Sequence, residues 1–285
     1  MKRFSIVLLI MTLLLSGILG GGIVLAQDSE DNPYLVETIT AANGKQIDRI
    51  AVPGYFPDVK QAAAAVPGPN PAAGTNSLAN VPAFDWSFGC SATSAAMMFG
   101  YYDNTGYSNM YAGPTNGGVC PLDNSSWPDW WDGSANRHQM PLSATHNGLD
   151  GRTMDGHVDD YWISYGSPGP DPYVTDGRPE HVHGDCTGDF MGTNQWAFGN
   201  IDGMTTFWCY TDGSPWGITD VITWLNPATE RDGGHGLQLF AESRGYTVTN
   251  CYNQYILGWN GNTLGFTFAQ YKAEIDAGRP VLIHT

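Results

Sequence analysis

Three stretches of the chain carry a helical pattern of apolar positions. Residues 91–102 (SATSAAMMFGYY) set Ala95, Met98, Phe99 and Tyr102 at i, i+3, i+4 and i+7, the spacing of a helix with one buried face. Residues 235–244 (HGLQLFAESR) predict a second helix with Leu237, Phe240 and Ala241 turned inward. Gly245 stops it, and residues 246–250 (YTVTN) read as a strand. The third begins at a capping box, Thr267 with Gln270 three residues on, and runs to Ala277 with Gly278 as its stop. The apolar strand PVLIHT, residues 280–285, follows it. Between the first two helices, residues 103–215 hold Gly, Asp, Asn, Pro and Trp with only short apolar runs. Such a long loop-rich stretch is expected to be pinned by disulfides or bound ions.

The N-terminus has a different pattern. Lys2 and Arg3 precede an apolar run over residues 6–15, and Val24-Leu25-Ala26 supplies small residues before the polar stretch from Gln27. That is the layout of an export signal, residues 1–26. The run over 6–26 is also long enough for an uncleaved anchor, but the glycines at 17 and 20–22 favour cleavage after Ala26. Residues 27–80 read as a propeptide-like segment with a short helix at 58–65 and a linker, PGPNPAAGTNSLAN, at 67–80. An N-terminal arm of the same domain is the alternative. Residues 81–285, dense in aromatics, form the main domain.

Composition sharpens this picture. The chain of 285 residues has formal charge −16, and its charged residues amount to 14%, against roughly 25% in an ordinary soluble domain. An acidic surface repels phosphates, so no nucleic-acid partner is expected. After signal cleavage no membrane partner is expected either, and the protein is placed outside the cytoplasm, secreted or at the cell surface. In that oxidising setting the five cysteines matter. If Cys120, Cys186, Cys209 and Cys251 pair among themselves, two disulfides form in any of three connectivities, and Cys90 is left over.

Cys90 stands at the first turn of a predicted helix, after Gly89. A helix N-terminus carries partial positive charge and unpaired N–H groups, which favour a thiolate and can stabilise an oxyanion. A buried structural cysteine fits the same place.

VPAFDWSFGCSATSAAMMFGYYD (residues 81–103), together with AEIDAGRPVLIHT (273–285), resembles the secreted relatives of bacteriocin-processing cysteine peptidases, cysteine-peptidase family thirty-nine and its "-like" domain. The resemblance covers about forty residues and rests on the GC-x-x-T-S/A-A-x-M helix and the later G-R-P-V-L-I strand. It implies an α+β, papain-like fold whose nucleophile helix packs on an antiparallel sheet that is incomplete here. It implies Cys90 as nucleophile, a peptide or protein substrate, and no cofactor or metal. The family carries a Gln about five residues before its Cys as an oxyanion donor. Here that stretch is Asp85-Trp86-Ser87, so Asp85 and Trp86 become the oxyanion-region candidates, with the Trp86 indole N–H or backbone amides as donors. The family's catalytic His sits in a Gly-His pair just past the strand, so the resemblance implies that the base and its orienting residue lie beyond residue 285. His284 falls one or two positions too early.

Other groupings are weaker. His181 and His183, with Asp185 beside them, and His157 with Asp159 and Asp160 contain metal-capable side chains, but solvated loop histidines explain them as well. The turns at 185–189 and 200–203 offer oxygens to calcium without the twelve-residue loop pattern, and Asx-turns account for them. Trp127, Trp130 and Trp131 form either a stacking platform or part of the core. The expected function is that of an exported cysteine peptidase. The alternative is an inactive peptide- or glycan-binding module on the same fold.

Overall fold

The computed structural model describes residues 3–10, 32–54, 77–87, 89–111, 119–126, 130–131, 136–137, 140, 142–143, 186–195, 198–201, 203–227 and 229–284. The expected helix at 58–65, Trp127, the histidine groupings at 157–162 and 180–185 and most of the linker at 67–80 lie outside them. So do the side chains of Trp130 and Trp131, whose backbone forms a two-residue ribbon with Asn136–Arg137.

The chain is α+β. Helix α1, Cys90–Asn104, covers the first periodic stretch, and Ala95, Met98, Phe99 and Tyr102 are all buried in it. Its other faces are buried too, because Ala92, Ala95 and Ala96 let neighbours approach closely. Gly100 extends this: a Cβ there would lie 2.8 Å from Pro82 Cγ and 2.9 Å from Cys120 Sγ. At the end of the helix, the Asp103 carboxylate accepts the N–H groups of Tyr111 (3.0 Å) and Cys120 (2.9 Å) and so ties both to the last turn of α1.

Helix α2, Thr187–Met191, and α3, Ile218–Trp224, are short. Helix α4, Gly233–Ser243, is the second periodic stretch, and Leu237, Phe240 and Ala241 are fully buried. It starts two residues earlier than the pattern predicted, because Asp232 is its N-cap and accepts the His235 N–H at 2.8 Å. Gly236 lets α4 cross α2, since a Cβ there would meet Phe190 O at 2.2 Å. Phe240 then sits between Phe99 (4.5 Å between ring centroids) and Phe190 (5.5 Å), which ties the three helices into one core. Helix α5, Phe268–Asp276, opens on the expected capping box: Gln270 N–H donates to Thr267 Oγ1 and Thr267 N–H to Gln270 Oε1.

Two main sheets complete the fold. In the first, β2 (Leu35–Thr40) and β3 (Gln46–Val52) form an antiparallel hairpin, and β3 pairs antiparallel with β6 (Thr205–Tyr210), Ile47 opposite Tyr210 and Val52 opposite Thr205. β4 (Trp130–Trp131) and β5 (Asn136–Arg137) are the small ribbon already mentioned. Part of the segment expected to be propeptide-like is therefore built into the fold, with Ile47 and Ile50 fully buried.

The second sheet has the order β7-β8-β1-β9, with β7 Trp216–Gly217, β8 Thr247–Tyr255, β1 Arg3–Ile10 and β9 Leu282–His284. It is mixed rather than antiparallel: β7 runs antiparallel to β8, whereas β1 is parallel to both β8 and β9. The two sheets are joined by Tyr255, whose hydroxyl donates to Asp48 Oδ2 at 2.9 Å, and by Asn253, whose Nδ2 donates to Trp208 O at 3.0 Å. No helix among the described residues is long and apolar enough to cross a membrane.

Candidate active site at the start of the first helix

The turn that delivers Cys90 is held from several directions. Asp85 N–H donates to Asn124 Oδ1 (2.8 Å), and Ser87 N–H donates to Thr93 Oγ1 (3.0 Å). The Thr93 hydroxyl in turn donates to Gly89 O at 2.8 Å, closing the first turn of α1 over its own entry. Ser143 donates to Ser87 O (3.2 Å), and Thr187 donates to Ala92 O (2.8 Å), so two distant segments brace the same turn.

Gly89 has φ 146°, a conformation that side chains rarely adopt, and a Cβ there would lie 2.6 Å from Thr193 Cγ2 and 3.0 Å from Gly203 O. Gly54 meets the same place: its Cβ would fall 2.1 Å from the Gly203 carbonyl carbon. The Gly203 backbone, on the approach to β6, thus packs directly on both Gly54 at the end of β3 and Gly89 in the Cys90 turn.

Cys90 is the first residue of α1 and is half-buried. Gly89 offers no side-chain cap, so the first N–H groups of the helix have no competing acceptor from the N-cap position. Burial pushes the Cys90 thiol up from its ordinary value, and a hydrogen bond from the Trp86 side chain pulls it back down. The Trp86 indole N–H also donates to Gly54 O at 3.1 Å, which ties the ring to the end of β3. Of the two oxyanion-region candidates, Trp86 is buried against Cys90, whereas Asp85 is exposed.

His284 is buried on β9, its ring 4.7 Å from that of Phe207 between centroids. Its Nε2 finds no hydrogen-bond partner among the described residues. Burial lowers its pKa to about 4, so the ring is neutral at neutral pH and a weak proton acceptor.

The cysteines depart from expectation. Cys120, Cys186, Cys209 and Cys251 are all buried and none is joined in a disulfide, so neither of the two expected disulfides is present. Cys186 is the N-cap of α2, Cys209 lies in β6, and Cys251 in β8 turns its thiol to Gly234 O at 3.1 Å. Of the proposed oxygen-rich turns, 186–189 is the start of α2, with Asp189 buried in it. No group of three or more metal-capable side chains occurs among the described residues.

Asp232 escaped the sequence reading. Its carboxylate is fully buried and accepts Trp208 N–H (3.0 Å), His235 N–H (2.8 Å) and Asn253 Nδ2 (2.6 Å), which joins β6, α4 and β8 at one point. Desolvation raises its pKa to about 6 against those bonds. The available signal was an Asp just ahead of a helical pattern, the usual N-cap placement. Thr93 was legible as the Thr of the GC-x-x-T motif, although its bracing bonds were not.

Comparison of the chain with protein-family models, with curated proteins and with solved structures finds no match.

Proposed function

We propose that this protein is an exported cysteine peptidase of papain-like fold with Cys90 as nucleophile. The reading is carried by one observation: Cys90 occupies the first position of a buried helix, behind a glycine turn braced by Thr93, with Trp86 bonded to its side chain. In this reading the thiol gives its proton to a histidine and the sulfur attacks the peptide carbonyl carbon. Helix N–H groups stabilise the oxyanion, and the amine leaves with the proton to give a thioester that water hydrolyses. Trp86 lowers the thiol pKa and so favours the attacking form. The weak basicity of His284 speaks against its serving as that histidine.

A thiol-directed peptidase probe tests this on the full chain. Labelling is expected at Cys90, to disappear in Cys90→Ala, and to accompany hydrolysis of a mixed peptide library that the same substitution abolishes. The second reading, a peptide- or glycan-binding module without catalysis, draws on the upward push that burial gives the Cys90 thiol and on the exposed Asp85 where the resembled family has a Gln. An unreactive Cys90 in a folded protein would decide for that module.

A further inference from the structure

β1 occupies an unusual place for its sequence. Arg3–Ile10 lies between β8 and β9 and pairs with both, Ile6 opposite Cys251, Leu8 opposite Leu282 and Ile10 opposite His284. β9, three residues long, stands at the sheet edge and reaches β8 only through β1. With neighbouring strands about 4.8 Å apart, removing β1 leaves a lane of roughly 10 Å between two open backbone edges.

The same residues belong to the stretch with the layout of an export signal. The coincidence has a physical basis. A strand paired in parallel on both sides reads as a continuous apolar run, and so does the hydrophobic region of a signal. One segment cannot serve both purposes at once.

We propose that the lane between β8 and β9 is a strand-docking slot whose occupant is the chain's own leader, Arg3–Ile10, and that export vacates it. While the leader is docked, β9 is tied to β8 and held in place beside α1. Once the leader is gone, β8 and β9 present unpaired edges that take the same extended segment back from solution by strand addition. This rests on the export part of the proposed function and is independent of peptidase chemistry.

Cross-linking in the full chain reads the register. With Ile6→Cys, mild oxidation is expected to link residue 6 to Cys251, because paired residues on neighbouring strands share a face at disulfide range. Ser5→Cys, whose register partner is Asn250 rather than Cys251, is expected to link several-fold less. A folded Ile6→Cys chain that links no better than Ser5→Cys overturns the docking.

A second experiment places a protease site after Ala26 in the full chain. After cutting, the leader fragment is expected to stay with the remainder on size exclusion and to be exchanged for an added labelled peptide of residues 3–10. Separation of the fragment from a folded remainder that does not take up the peptide overturns the slot. Sequencing the N-terminus of the exported protein tests the export reading on its own. A terminus that still contains residues 3–10 removes that reading and the vacated state, whatever the cross-link shows.

Discussion

Gly89 and Gly203 meet backbone to backbone: a Cβ built on Gly203 would come within 3.0 Å of the Gly89 Cα. Gly203 also has φ 75°, so both its conformation and its surroundings exclude a side chain. The contact sets where α1 begins and hence where Cys90 sits. Gly203→Ala and Gly89→Ala are each expected to destabilise the protein by about 1–3 kcal/mol. Urea unfolding measures this, and Gly245→Ala is the comparison. Gly245 also has positive φ, but a Cβ there would meet open space, so conformational strain alone is left.

Trp86 opposes the effect of burial on the Cys90 thiol. Trp86→Phe keeps the ring and removes the indole N–H. The rate of Cys90 alkylation is then expected to follow a profile displaced to higher pH, with slower reaction at neutral pH. An unchanged profile would mean that the indole does not tune the sulfur.

Asp232 and His284 give opposite contributions to the pH dependence of stability. Asp232 keeps its proton to about pH 6 in the folded chain, against 3.8 for its ordinary value, so the folded state binds more protons between those limits and stability falls as pH rises. His284 resists protonation down to about pH 4, against 6.5, so the folded state binds fewer protons and stability rises with pH across nearly the same window. Each effect is about 3 kcal/mol, and in the intact protein they largely offset. Unfolding at a series of pH values from about 4 to 7 is expected to show a rising slope in Asp232→Asn and a falling one in His284→Leu.

Thiol titration in denaturant without reductant is expected to count five reactive groups, from Cys90, Cys120, Cys186, Cys209 and Cys251. A count of one would mean that the two disulfides form after all.

Local chemistry determined a good part of this protein. The buried faces of α1 and α4, the capping box of α5 and the stops at Gly245 and Gly278 follow from residue spacing, caps and conformational preference within a few residues. The candidate nucleophile was legible for the same reason, because a Gly-Cys pair ahead of a helix is a local signal. What tertiary structure decided depends on partners far away in the chain. The polar, weakly patterned residues 35–52 became a hairpin only because β6 offered Ile47 and Val52 a ladder some 150 residues downstream. Asp232 became a buried junction because Trp208 and Asn253 converge on it. The Gly54, Gly89 and Gly203 contact joins three turns that no short window contains. An apolar pattern records that a segment will be buried and with what period, but not against which surface, and so the leader-like run Arg3–Ile10 could also be the strand between β8 and β9.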